Sequence, residues 1–318
     1  MGSQGLISSS GPAASPFRNG PFTWDQHVTF LAGVSGVNSG GSVFYVDGTN
    51  GVAGNNGSSW STPMLTIQAA VTAASAGDTI FLKGTFTEEV TCTKDSIKFL
   101  GAGPNNAENV WMENAAGDTL LTLSGKNCII SNIRFRVPTT GGIAIALTGA
   151  DYTIIEGCYF QGRTGSLQAI LNNGGSSCKI LNNIFAYLNT AVTGAAILGV
   201  TYTAIPSGWE IAYNTFHSNL RHLSMTMRQS FIHDNLFQAI GLDNDNTDLT
   251  ATTKCDVYTG SAGDGQYNTV TRNMFQGDYS NTGGYKASAN DNWFGNISDD
   301  VAESTVGDWG ITTAVPGA

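Results

Sequence analysis

Cys178-Lys-Ile-Leu-Asn-Asn-Ile-Phe185 holds the pattern that decides the fold: a short run of β-formers, a polar pair, one apolar residue, then Phe. Six further segments share it: Cys128–Phe135, Thr153–Phe160, Trp209–Phe216, Ser230–Phe237, Asn268–Phe275 and Ala287–Phe294. The closing residues Phe135, Phe160, Phe185, Phe216, Phe237, Phe275 and Phe294 are spaced by 25, 25, 31, 21, 38 and 19. Two residues before the Phe stand Asn183, Asn214, Asn235, Asn273 and Asn292 in the last five segments. A period of ~20–25 residues with short strands and no helices indicates a β-solenoid, one coil per repeat. Coils stacked ~4.8 Å apart turn equivalent positions into ladders along the axis. The Phe residues should fill the core. The Asn residues should satisfy backbone groups at a bend and bond to the Asn of the next coil. The longer spacings imply insertions near 190–208 and 240–266 that leave the coil as loops.

Working outward, Ser42–Asp47 and Thr79–Lys83 read as strands flanking a helical stretch over 63–76. There Leu65, Ala69, Val71, Ala73 and Ala76 share one face, and Gly77 is the stop signal. Residues 1–40 are rich in Gly, Ser and Pro and sustain no period of 2 or 3.6, yet they carry Phe17, Phe22, Trp24 and Phe30. A plain linker would not spend four aromatics, so this reads as an arm that covers or is covered by an apolar surface. That surface is its own domain or a partner. The domain division is therefore an arm over 1–40, the solenoid over 41–297 and an acidic tail over 298–318.

Composition narrows the function classes. Only 12% of the 318 residues are charged, about half the usual ~25%, while 40 are Gly. Hydrophobic residues make up 41%, which excludes intrinsic disorder. The net charge of −10 is uneven. Residues 1–233 hold 12 acids and 11 bases; residues 234–318 hold 12 acids against Lys254, Arg272 and Lys286. A nucleic-acid partner is not expected, since phosphate neutralisation needs clustered Lys and Arg. No apolar run approaches the ~18 residues of a membrane span. The first ten residues lack the basic start and apolar core of a secretory signal. Five cysteines without a CxxC make a metal cluster improbable, and no cofactor is expected.

The helix after Trp60, the turn Ala76-Gly-Asp78, the strand from Thr79 to Gly84 and the Asn-stacked coils resemble a right-handed parallel β-helix of the pectate-lyase-like superfamily. The opening from Tyr45 to Phe86 is more narrowly similar to β-helix chains of tailed bacteriophages, as are the endings Asp291–Asp300 and Gly310–Ala318. The resemblance implies an all-β solenoid with a capping helix and an extended arm. It also implies a structural virion protein, a homotrimeric capsid decoration or cement protein that contacts the major capsid protein and is assembled in the host cytoplasm. Phe17, Phe22, Trp24 and Phe30 would then supply the capsid or subunit contact. The alternatives are a tailspike-type polysaccharide lyase or hydrolase and a non-catalytic carbohydrate-binding tail protein.

No catalytic residue is assigned. A lyase on this fold would need carboxylates on one sheet to hold Ca²⁺ and an Arg or Lys as the base. Asp234, Arg272 and Asp291, with Tyr213 one coil earlier, each stand three residues before a ladder Phe and should project alike. Tyr213, Asn182, Gly157 and Asn132 break the acidic series, so a salt-bridge ladder is the plainer expectation. His217, Arg221, His222, Arg228 and His233 form the densest run of bases but match no metal spacing. Leu242–Asp248 begins like a calcium loop, but its sixth position is Asp248 and its twelfth Lys254, where Gly and Glu are required. No metal site is expected. Cys128 and Cys178 share a coil position two coils apart, about 10 Å, beyond the ~7 Å disulfide limit. With Cys158 they should be buried free thiols.

Overall fold

The structure, a computed structural model, describes residues 41–102, 110–114, 119–139, 141–163, 165–188, 195–199, 205–219, 221–239, 257–259, 267–277 and 291–298. The arm over 1–40 with Phe17, Phe22, Trp24 and Phe30, the tail beyond 298 and the 242–248 loop lie outside the described residues.

The described chain is a parallel β-helix. Its strands pair with the equivalent strands of the preceding and following coils, always in parallel, and fall on three faces. Sheet A runs from Val43–Asp47 to Asn292–Phe294. Sheet B begins in the second half of Thr79–Phe86, a strand that spans both faces, and ends at Ile297–Ser298. Sheet C comprises seven strands, from Val90–Cys92 to Val257–Tyr258.

Two sheet C strands, Ala195–Gly199 and Val257–Tyr258, fall inside the stretches expected to leave the coil as loops. They pair with Gln168–Asn173 and Leu223–Ser224. Buried Ile197 and Val257 explain why: each continues the inward column of Ile145 and Ile170. Within the 190–208 and 240–266 stretches, residues 195–199 and 257–258 are thus coil strands rather than loop.

Pleat alternation puts every second side chain inside. Phe135, Phe160, Phe185, Phe216, Phe237 and Phe275 are fully buried, with ring centroids 4.8–5.0 Å apart along the axis. That distance is the strand spacing itself, so register and ring stacking fix each other. Sheet A contributes Ile80, Phe99, Ile130, Ile155, Ile180, Ile211 and Ile232 to the same core.

Between sheets A and B the chain turns through a single left-handed residue. Asn132, Gly157, Asn182, Tyr213, Asp234, Arg272 and Gly295 hold φ between 53° and 64°. A side chain in that region costs about 1–2 kcal/mol, and the following residue offsets it. The Asn183 side-chain oxygen accepts from the Cys158 N–H at 2.9 Å, and its amide donates to the Ile155 carbonyl at 2.9 Å. Asn214, Asn235 and Asn273 repeat the arrangement, each amide also reaching the next Asn oxygen at 3.0–3.1 Å. At Gly157 an added Cβ would lie 2.7 Å from Asn132 Oδ1, so a larger residue there would have to displace that side chain.

The last rung of this ladder is Asn296, not Asn292. Asn292 is exposed and pairs with Thr269, and Phe294 is exposed and pairs with Thr271. The Asn-Trp-Phe triplet imitates the ladder spacing, but Gly295 supplies the left-handed bend. The true register thus begins four residues later, with Trp293 in the inward sheet A column.

The capping helix α1 spans Ile67–Ala73, shorter than the expected stretch. The Thr66 hydroxyl accepts from the Ala69 N–H, and the Glu88 carboxylate accepts from those of Ile67 and Gln68. Lys94 Nζ donates to the Val71, Thr72 and Ala74 carbonyls at the other end. Its buried face is Ile67, Ala70, Val71 and Ala74; Leu65 is exposed, because β-helix packing rotates the helix away from the face expected from sequence.

Candidate functional site

Ionisable side chains are distributed unequally over the three faces. No strand of sheet C carries Asp, Glu, Lys, Arg or His. Sheets A and B carry the charge, in two groups.

The first group lies at the corner between sheets A and B, on coils that pair Lys179 with Glu210 and Ala212 with His233. Lys179 Nζ donates to Glu210 at 2.7 Å. His233 Nδ1 lies 2.7 Å from Asp234 Oδ2; the carboxylate can only accept, so the proton belongs on Nδ1. His233 Nε2 is 3.5 Å from Glu210 Oε1, an ion-pair distance without hydrogen-bond geometry. Arg272 grips Asp234 with both Nε and Nη2, at 2.9 and 2.7 Å. Phe231 and Tyr213 wall the imidazole, with centroids 3.9 and 5.6 Å away. Sequence reasoning linked Asp234, Arg272 and Tyr213 and placed His233 in a separate run of bases; it missed Lys179 and Glu210, which join them across neighbouring coils.

Asp291 is not part of this corner. Its carboxylate accepts from the Asn268 N–H at 2.9 Å and from the Thr259 hydroxyl at 2.6 Å. It closes a second polar ladder in which Asn268 accepts from the Ser230 N–H. The four-residue register shift moves Asp291 from the Arg272 column, where Gly295 stands, to the Asn268 column.

The electrostatics of the corner are those of a closed network. Arg272, with lesser help from His233, holds the Asp234 carboxyl down to about 2. Lys179 likewise holds Glu210 below the usual carboxylate range, and Asp234 raises the Arg272 guanidinium further. Both acids are therefore anions with committed partners, and Arg272 is a worse base than a free guanidinium. His233 Nε2 is buried. Of the corner's ionisable side chains, Lys179 and Tyr213 are about half exposed, whereas His233 is buried.

The histidine-rich run is not one site. His217 lies on the outer column of sheet B, edge-on to Tyr187 at 5.2 Å. His222 is fully buried beside Phe216 and Phe237, and burial pushes it down to about 3, so it is a neutral core residue. His233 belongs to the corner. No group of three or more His, Cys, Asp or Glu converges to hold a metal ion among the described residues.

The second group is on the outer face of sheet B and has no counterpart in the sequence reading. The Arg134 guanidinium lies 4.7 Å from the Trp111 ring and 4.8 Å from the Tyr159 ring, one coil to either side. Arg136 stands 4.4 Å from the same Trp111 and bonds Glu113, which Arg163 also approaches at 3.6 Å. The residue preceding each ladder Phe points out where the Phe points in, and reading that column would have found Arg134 and Tyr159.

Two solved structures share this coil architecture along most of the chain. A pectate lyase, Pel9A, is 18% identical, covers 81% of this chain and 71% of its own, and superposes with a TM-score of 0.51. An alginate lyase from Paenibacillus sp. str. FPU-7 is 15% identical, covers 74% and 92%, and gives 0.53. The shared feature is the parallel β-helix fold. At such identities the likeness is one of fold. No family model matches this β-helix chain, and no curated protein matches it.

Proposed function

We propose that this chain is a non-catalytic structural protein of a tailed-phage particle, a capsid decoration or cement protein displayed on the virion surface. The observation that carries the reading is the closed corner: the densest charge on the solenoid is committed to internal ion pairs, and its imidazole is buried. The resemblance of residues 45–86 to phage β-helix chains is what supports a phage particle as its setting. In this reading residues 1–40 bring Phe17, Phe22, Trp24 and Phe30 to the major capsid protein. Deleting residues 2–35 tests it: the truncated chain should fold, because the coils keep their own core, and should no longer bind particles. Undiminished binding would overturn it.

A second reading, a carbohydrate-active β-helix of the tail, is favoured by Trp111, Tyr159 and the arginines around them, since aromatic and guanidinium groups are what sugar acids stack on and pair with. The two matched structures are named as lyases of pectate and alginate. Release of unsaturated uronate from pectate or alginate, lost in Arg134→Ala, would establish this reading in place of the first.

A further inference from the structure

Two cysteines meet at the capped end of the solenoid. Cys92 ends the first strand of sheet C, Val90–Cys92, and Cys128 stands just before the sheet A strand Ile129–Ser131. The corners after Cys92 and before Cys128 belong to neighbouring coils and stack directly. The Cys92 carbonyl accepts from the Ser124 N–H at 2.9 Å, and the Ser96 N–H donates to the Lys126 carbonyl at 2.7 Å. Gly125 permits the approach, because an added Cβ there would overlap the Lys94 carbonyl oxygen. Both sulfurs lie against that same oxygen, Cys92 Sγ at 3.7 Å and Cys128 Sγ at 3.5 Å. The two thiols also hydrogen-bond to each other, and both side chains are fully buried. Cys158 and Cys178 are placed differently: their sulfurs face the carbonyls of Ile130 and Glu156 and of Ala150 and Ser176.

We propose that Cys92 and Cys128 are an oxidation site, which a peroxide closes into a disulfide that clasps the first coil to the second. The Cys128 S–H donates to the Cys92 sulfur and, with the Lys94 ammonium nearby, holds the Cys92 thiol below the ordinary thiol range. Cys128 is raised and keeps its proton. The Cys92 thiolate attacks one peroxide oxygen: an S–O bond forms, the O–O bond breaks, and the departing hydroxide takes up the proton Cys92 released. The Cys128 sulfur then attacks the Cys92 sulfur, the S–O bond breaks, and hydroxide leaves as a second water with the Cys128 proton. The two thiols supply two electrons and the peroxide accepts them. Access comes from the end of the solenoid. Val90–Cys92 pairs on one edge with Thr119–Leu123. Its other edge is held by the seven-residue helix α1, where the Gln68 side chain bonds the Thr91 N–H at 2.8 Å and the Thr91 carbonyl at 3.4 Å. Such a short terminal element opens locally at far lower cost than the whole fold, and a peroxide is small enough to enter. The inference does not rest on the particle role, since it concerns the purified chain alone.

The test treats the purified full chain with hydrogen peroxide at neutral pH, denatures it in an alkylating reagent and maps the peptides by mass. A linked peptide containing Cys92 and Cys128 should appear, about 2 Da lighter than its two parts together and split by dithiothreitol. It should form roughly tenfold faster than Cys158 or Cys178 is oxidised. Cys92→Ser should abolish it and leave Cys128 open to alkylation; Cys128→Ala serves if that variant does not fold. The bridged chain should melt roughly 5 °C or more above the reduced chain, a shift that Cys92→Ser treated alike does not show. Peroxide that leaves Cys92 and Cys128 open to alkylation overturns the proposal. So does oxidation of Cys158 or Cys178 at the same rate, or a bridge from either cysteine to Cys255. A Cys92–Cys128 bridge that does not raise the melting temperature overturns the clasp.

Discussion

Asn235→Ala removes the middle rung of the asparagine ladder. In the folded chain the Asn235 side-chain oxygen accepts from the Asn214 N–H and the Asn214 amide, both at 3.0 Å. Its own amide donates to the Ile211 carbonyl at 2.8 Å and to Asn273 Oδ1 at 3.0 Å. Truncation therefore leaves the buried Asn214 N–H and the buried Ile211 carbonyl, both at the bend of the preceding coil, without this partner. Each such orphan costs about 1–3 kcal/mol, so the substitution should cost about 2–5 kcal/mol. Asn173→Ala, on an exposed position, is the matched control and should stay within about 0.5 kcal/mol. Urea unfolding followed by circular dichroism reads both. The m-value should be unchanged, because the same surface is exposed on unfolding. An Asn235→Ala chain as stable as Asn173→Ala would mean that the ladder does not hold the bend, and the account of the left-handed column would fail with it.

Three further outcomes follow from the same coordinates. Phe237→Ala opens a cavity between rings stacked 4.8 and 4.9 Å away and should cost about 3–5 kcal/mol in the same assay. Burial pushes the Cys158 and Cys178 thiols up to about 12, and the Cys92 thiol beside Cys128, with burial added, raises Cys128. At pH 8 these three should resist alkylation in the folded chain, react on unfolding, and show no bridge among themselves by mass; a bridge would contradict the coil spacing. Asp234 is held at about 2 in the fold against ~3.9 when unfolded. Its ion pair therefore stabilises the chain fully above pH ~4, and that contribution is lost as pH falls through 2. The pair is open to solvent mainly on the Arg272 side, which is 55% exposed, and solvent screening should hold the cost of Asp234→Asn to about 1 kcal/mol at pH 6. The gap to wild type should close by pH 2, and a gap that widened on acidification would reverse the sign argued here.

The ladders were legible because a solenoid repeats its chemistry at fixed positions: Phe185 and Asn183 announce one coil, and Phe216 and Asn214 the next. Two things hid the rest. Outward positions repeat no residue type, so the column joining Trp111, Arg134 and Tyr159 carries no sequence signal until the Phe register is fixed. Partners one coil apart are also distant in sequence, so Lys179, Glu210 and His233 cannot be linked by spacing alone. The last coil misled for a local reason. Asn292-Trp-Phe294 copies the motif, whereas Gly295-Asn296 copies its geometry, and the backbone follows the residue that tolerates φ of 64°. The sheet C strands at 195–199 and 257–258 lay in the gaps between Phe segments, short and uncharged, and so read as insertion.

The proposed reading, a solenoid that decorates a phage particle without catalysis, is tested most directly by a reconstruction of a particle assembled with this chain. The account predicts β-helix density on the outer surface of the head, joined to the major capsid protein through residues 1–40, with no glycan held at the Lys179–Arg272 corner. Density at the tail tip, with a sugar chain bound along the solenoid, would contradict it.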